Sequence, residues 1–235
     1  MLAYTAEALK ALDFGRPPPT AVCKTWFTLH LWRPAHQQQP VAPQQLGHAS
    51  RRRSADRSMS IAWLNAQSLH NKTDAVQQTI TERSIDVLVL SETWHTTSDD
   101  MCLRLSAPPG YAVTDATRKM GRSGGFAIVY CQHLKCSILP TPACWRSCVC
   151  THVTTSGPVV IMNIYQPGSE KPSSLFFEKL TNVLEMLVVY SCPVVVGGDF
   201  NLRAQDDNNS DTRRFVNLLS SFDMVQHVHG PTHLR

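Results

Sequence analysis

Asp199 and Asn201 stand two positions apart, directly after the run Val194-Val195-Val196-Gly197-Gly198. A β-branched apolar run is what a strand buried on both faces requires, and the glycines let the backbone turn sharply and approach a ligand closely. Residues two apart in an extended segment share one side. The carboxylate can then accept a proton while the amide orients a phosphate or a water. Three further polar residues finish apolar runs in the same way. Asn65 follows Ile61 to Leu64, Glu92 lies two positions beyond Val87 to Leu90, and Tyr165 closes Val159 to Ile164. Strand ends converge when the strands share one edge of a sheet assembly, which is how α/β enzymes build their sites. Glu92 adds a hard oxygen donor. Magnesium binds through one or two carboxylates and keeps several waters, so one Glu among amides, with a substrate phosphate, makes a suitable shell. Each residue also has an ordinary structural use. Asn65 suits a turn, Tyr165 a strand, Glu92 a helix cap or an arginine partner, and Asp199 a helix cap.

The elements that must position these residues can be read from hydrophobic spacing. Strand-like runs occupy Ile61 to Leu64, Val87 to Leu90, Phe126 to Cys131, Val149 to Val153, Val159 to Tyr165 and Val194 to Val196. Asn71 or Thr73 would cap a helix running to about Arg83. Ser173 or Ser174 would cap a second, in which Phe176, Phe177, Leu180, Val183, Leu184, Leu187 and Val188 recur at helical spacing. A third begins near Asp211, with Phe215, Leu218, Leu219 and Phe222 on one face. Runs between 126 and 165 with no long helix among them predict antiparallel hairpins mixed with βα units. The expectation is one α/β domain over residues 58–235.

Residues 1–57 differ in texture. Pro17 to Pro19, Gln37 to Gln39 and Arg51 to Arg53 mark a segment too poor in apolar surface to offset its ordering entropy, so it is expected to be disordered. It holds eight Lys/Arg against three Asp/Glu, whereas residues 58–235 hold fourteen against fifteen, so the net charge of +4 belongs to the N-terminal part. Arg51 to Arg53 with Arg57 fit a phosphate contact, a nuclear address or a solvated linker. A near-neutral domain gains no argument for nucleic-acid binding from whole-chain pI. The eight cysteines show no paired metal spacing. Cys131, Cys148, Cys150 and Cys192 lie in or beside apolar runs, where cysteine serves as a small buried hydrophobe. No apolar stretch approaches the ~20 residues that span a bilayer, and the start lacks the basic-then-apolar order expected of a secretory signal. These features predict an intracellular protein, nuclear or cytoplasmic, with no membrane partner. Arg118, Lys119 and Arg122, ahead of Gly124-Gly125, suit a loop on DNA phosphates or a solvated turn. Trp94 is expected to pack beneath the loop after Glu92. His95 has no identifiable partner, and His227, His229 and His233 have a spacing that fits no zinc face.

One order of motifs runs through the chain: Leu64-Asn65-Ala66-Gln67-Ser68-Leu69, Ser91-Glu92-Thr93-Trp94, Gly110-Tyr111, Gly124-Gly125-Phe126-Ala127-Ile128, Tyr165-Gln166-Pro167, Gly197-Gly198-Asp199-Phe200-Asn201 and Pro231-Thr232-His233. The collinear set, within residues 58–235, resembles the endonuclease/exonuclease/phosphatase family. More narrowly it is similar to the apurinic-type endonuclease domain of non-LTR retrotransposons. The resemblance implies a four-layered α/β sandwich, with two mixed sheets face to face and helices outside. It also implies phosphodiester hydrolysis with Mg²⁺, or Mn²⁺, on a DNA partner, by a monomer. In that scheme Glu92 binds the metal, Asn65 assists at the metal or phosphate, and Tyr165 bonds the scissile phosphate. Asp199 activates or orients the attacking water, Asn201 holds the phosphate, and Thr232 matches a position near the site. The same scaffold also serves phosphatases of small phosphoesters, and a chain of this kind can persist as a non-catalytic DNA- or protein-binding remnant.

Relatives continue past the Pro-Thr-His stretch through a Gly-x-x-Leu-Asp strand to a Ser-Asp-His triplet that completes the site, whereas this sequence stops at Arg235. His233 precedes those strands and cannot replace the triplet. The corresponding expectation is a sandwich with its closing strands missing, an unpaired sheet edge and impaired catalysis.

Overall fold

Odd and even residues of the apolar strands enter different cores, and this parity sorts the molecule into layers. The structure is a computed structural model that describes residues 26–31, 59–116, 124–140, 148–154, 158–167, 171–202 and 208–225. Its elements run β1 (Trp26–Leu31), β2 (Met59–Asn65), α1 (Thr73–Glu82), β3 (Val87–Ser91), α2 (Met101–Leu105), β4 (Tyr111–Ala116) and β5 (Phe126–Cys131). They continue through β6 (Lys135–Leu139), β7 (Cys148–Thr154), β8 (Pro158–Tyr165), α3 (Ser174–Leu187), β9 (Val194–Asp199) and α4 (Ser210–Ser221). The first sheet has the order β1-β2-β3-β5-β4 and the second β6-β7-β8-β9. Both are mixed: β2 with β3 and β8 with β9 are parallel pairs, and the remaining neighbours are antiparallel.

On the first sheet, Ala62, Leu64, Leu88, Leu90, Ala127 and Val129 face outward and are covered by Val76 and Ile80 of α1 and Leu103 of α2. The alternate residues Ile61, Trp63, Val87, Val89 and Ile128 face Val159 and Ile161 of β8, forming the core between the sheets. On the far side of the second sheet, Val160, Met162 and Ile164 lie under Phe176, Phe177, Leu180, Val183, Leu184 and Leu187 of α3 and Phe215 of α4. Helix, sheet, sheet, helix is therefore the layer order, the four-layered sandwich expected from the sequence. Arg214 adds a cation over the Phe177 ring at 4.2 Å, tying α4 to α3.

Helix starts follow side-chain chemistry in three of the four helices among the described residues. Ser173 Oγ accepts from Phe176 N–H at 3.2 Å, and Asn209 Oδ1 accepts from Asp211 and Thr212 N–H at 2.8 and 3.2 Å. Asp100 Oδ1 accepts from Cys102 N–H at 2.9 Å. The start of α1 departs from the Asn71 or Thr73 cap expected. Lys72 holds the cap position without a side-chain cap, since an ammonium has no acceptor to offer the first N–H groups; it donates to Ala66 O at 2.6 Å and Gln67 O at 2.9 Å.

The structure also places β1 inside the segment read as disordered. Its six residues pair antiparallel with β2 from Trp26↔Leu64 to Leu31↔Met59, so the sheet draws in residues N-terminal to the expected boundary at 58. Arg118, Lys119, Arg122, Thr232 and the histidines at 227, 229 and 233 lie outside the described residues. Cys131 is 9% exposed, within the core between the sheets. Burial pushes the Cys136 thiol up to about 12, which keeps it neutral at physiological pH. No helix among the described residues is long and apolar enough to cross a membrane.

The two glycines of β9 are required by packing. A Cβ on Gly197 would lie 2.4 Å from Trp63 Cε2, so the indole occupies the space a side chain would need. Gly198 has φ +133°, and its Cβ would lie 1.9 Å from Ile164 O, a backbone atom that cannot step aside. Gly198→Ala is expected to lose about 3 kcal/mol or more of stability by denaturant unfolding, from overpacking and backbone strain together. An unchanged unfolding midpoint would contradict this packing of β8 against β9.

Candidate active site

Parallel pairing aligns the C-terminal ends of the site strands. Asn65 and Ser91 form the last rung of β2 with β3, and Tyr165 and Asp199 the last rung of β8 with β9. Asn65 continues the inward series Ile61, Trp63 on β2. Tyr165 continues Val159, Ile161 on β8, and Asp199 continues Val195, Gly197 on β9. All three therefore belong to the face between the sheets, at one end of the sandwich. Asn65 and Asp199 are 8% and 7% exposed, and Tyr165 is half-buried.

The two sheets are joined there by a side-chain hydrogen bond. Asn65 Nδ2 donates to Asp199 Oδ2 at 2.8 Å. Gln67 N–H donates to Asn65 Oδ1 at 3.1 Å, which fixes the amide so that its NH₂ faces the carboxylate. The other oxygen, Asp199 Oδ1, accepts from Asn201 N–H at 3.2 Å. Asn201 Nδ2 donates to Gln166 O at 2.6 Å, and Gln166 N–H donates to Asp199 O at 2.8 Å. Asp199 is thus held by partners from β2 and from its own following turn. The extended two-residue spacing expected for Asp199 and Asn201 does not persist. Asn201 has φ +46° and is exposed, and the chain turns so that its main chain, not a parallel side chain, meets Asp199.

Glu92 follows Ser91, the rung partner of Asn65, and is 6% exposed. Its Oε2 accepts from Trp94 Nε1–H at 2.6 Å, rather than pairing with an arginine or capping a helix. Trp94 is 45% exposed, so it does not pack beneath the loop as expected; a φ of +58° turns it outward. His95, unassigned from the sequence, is buried with oxygen partners on both ring nitrogens. Gln166 entered the sequence reading only as a motif neighbour of Tyr165. Asn163 lies one layer below Tyr165 on β8 and is 2% exposed; within the run Val-Val-Ile-Met-Asn-Ile-Tyr its amide carries no local sign of its neighbours.

No group of three or more His, Cys, Asp or Glu that could hold a metal is present among the described residues. The groups at the strand ends offer oxygens of carboxylate, amide and phenol type. That set fits a small hard cation that keeps most of its waters, and not a thiolate or imidazole metal.

Removal of Asn65 should leave a buried carboxylate oxygen short of one donor. Asn65→Ala is expected to cost about 1–3 kcal/mol in denaturant unfolding. Together with Asp199→Ala it should show a coupling energy of about 0.5–3 kcal/mol. Strictly additive losses would mean that the two sheets are not joined through this pair.

Among solved structures, the endonuclease domain of TRAS1, a telomere-specific non-LTR retrotransposon, matches with a TM-score of 0.52 and 14% identity, covering 69% of this chain and 71% of that one. An AP endonuclease from Archaeoglobus fulgidus matches at 0.51 and 18%, over 69% and 70%. The AP endonuclease LMAP from Leishmania major matches at 0.55 and 14%, over 94% and 78%. At such identities the likeness establishes the fold. A comparison with curated proteins gave no match. The model of the Endonuclease/Exonuclease/phosphatase family matches residues 62–233, which include every strand end just described, and the chain belongs to that family.

Proposed function

We propose that the chain is a divalent-metal-dependent phosphodiesterase that nicks DNA, of the type found in non-LTR retrotransposons. The family generally uses divalent metal ions and hydrolyses phosphoesters. The observation that carries the reading is the Asn65–Asp199 hydrogen bond across the two sheets, with Tyr165 on the same rung as Asp199. It puts a buried carboxylate, an amide and a phenol at one end of the sandwich, the set that in-line attack on a phosphate needs.

In this scheme Asp199 accepts a proton from the attacking water or orients it. Asn65 keeps the carboxylate pointed through its amide and assists at the metal or phosphate. Tyr165 donates its hydroxyl to the scissile phosphate, and Asn201 stabilises the turn that carries the loop beyond Asp199. Glu92 would hold the cation, Mg²⁺ or Mn²⁺, whose chemistry when bound is to neutralise charge that develops on the phosphate and the departing oxygen. Arg118, Lys119 and Arg122 would contact the DNA backbone and Thr232 the phosphate side of the site. The order of the seven motifs supports the retrotransposon subtype. We further propose a monomer acting inside the cell, in nucleus or cytoplasm, with residues 1–57 serving largely as a basic N-terminal extension.

Nicking of supercoiled plasmid in Mg²⁺ tests the function. Relaxed circles should form with the wild-type chain, vanish with a chelator, and fall by about 10²–10⁴-fold in Asp199→Ala, since a positioned acid/base or transition-state group contributes that much. Hydrolysis of a small phosphomonoester with no nicking would instead identify a phosphatase. DNA binding without turnover, unaffected by Asp199→Ala, would mean a non-catalytic binding role.

A further inference from the structure

The loop after β3 carries backbone strain at the proposed metal ligand. Glu92 and Trp94 have φ of +56° and +58°, a left-handed conformation that costs a non-glycine residue about 1–3 kcal/mol and persists only where its surroundings impose it. Several main-chain bonds impose it here. Ser68 and Leu69 N–H donate to Glu92 O and Thr93 O at 2.7 and 3.1 Å, and Trp94 N–H donates to Gly124 O at 2.8 Å.

A side-chain relay completes the restraint. His95, 5% exposed, meets Thr93 Oγ1 through Nδ1 at 2.6 Å and Asp115 Oδ2 through Nε2 at 3.1 Å. Asp115 Oδ2 also accepts from Ser98 Oγ at 2.9 Å. Asp115 lies on β4, two places from β3 across the sheet, so the relay moors the Glu92 loop to a distant strand. A carboxylate only accepts, which assigns the proton of a neutral imidazole to Nε2 and leaves Nδ1 to accept from the Thr93 hydroxyl. Gly125 closes the packing. A Cβ there would lie 2.6 Å from Thr93 Oγ1 and 3.1 Å from the His95 ring.

We propose that His95 and Asp115 are positioning residues that hold Glu92 in its left-handed conformation and thereby set its affinity for a divalent cation. The proposal rests on Glu92 being the metal ligand. Released from the relay, the loop would be held by its main-chain bonds alone, and the Glu92 carboxylate would be less firmly placed. The Trp94 Nε1–H on Oε2 already occupies one acceptor oxygen, so the cation depends on how well the remaining geometry is held.

The test is Mn²⁺ binding to the full chain, followed by loss of the free-ion paramagnetic resonance signal, with thermal melts in parallel. Asp115→Ala should weaken binding about tenfold, the usual effect of losing a partner behind a metal ligand. Thr93→Val, which keeps the side-chain shape and removes the hydroxyl, should weaken it in the same direction, and it carries the test even where Asp115→Ala does not fold. Asp115→Asn, which keeps an acceptor oxygen, should bind nearly as the wild type does. Wild-type Mn²⁺ affinity in Asp115→Ala and Thr93→Val, with Glu92→Gln weakened, overturns the positioning role and leaves the metal assignment standing. Unchanged binding in Glu92→Gln overturns the metal assignment, and this proposal with it.

Discussion

The indole of Trp63 lies where a side chain at position 197 would have to be, and only glycine permits that contact between the two sheets. Stacked sheets usually sit ~10 Å apart. Side chains as short as Asn and Asp do not meet across that gap unless the strands close in. Two residues beyond Trp63 and two beyond Gly197, Asn65 and Asp199 do meet, at 2.8 Å. The site therefore depends on a packing contact one layer beneath it. The parallel registers of β2 with β3 and β8 with β9 then bring Ser91 with Glu92 behind it, and Tyr165, to the same end.

The polar groups at that end are fixed through the backbone as much as through side chains. Asn65 Oδ1 is taken by Gln67 N–H, Asp199 Oδ1 by Asn201 N–H, and the Asn201 amide by Gln166 O. Groups held this way need no reorganisation when charge develops on a substrate, and that is where electrostatic catalysis draws most of its strength. Left-handed residues recur in the same neighbourhood. Gln67, Ser68, Glu92, Trp94 and Asn201 all have positive φ, as expected where structure is spent on geometry rather than on stability.

Much of this was legible in the sequence, for identifiable reasons. Strands in the middle of a sandwich read as unbroken apolar runs, so β3, β5 and β8 stand out, and a polar residue closing such a run marks a strand end. That is why Asn65, Glu92, Tyr165 and Asp199 could be singled out. β4 and β6 lie at sheet edges, are only partly buried and carry mixed residues, so periodicity hides them. Five residues of α2 are too few to show a helical repeat. β1 sits among prolines, glutamines and arginines whose composition outweighs its six residues. The role of Gly197 is set by Trp63, and the partner of His95 by Asp115, both remote in sequence. The outward turn of Trp94 comes from a backbone angle that no side-chain pattern reports.

The most direct test of the central claim, that the ends of the two sheets form one phosphodiester site, is a crystal structure of the chain with Mn²⁺ and a DNA duplex, with the metal located by anomalous scattering. The account predicts a metal peak beside Glu92 and a backbone phosphate against Asn65, Tyr165 and Asp199. A phosphate bound on another face of the sandwich, or a metal held away from Glu92, would contradict it.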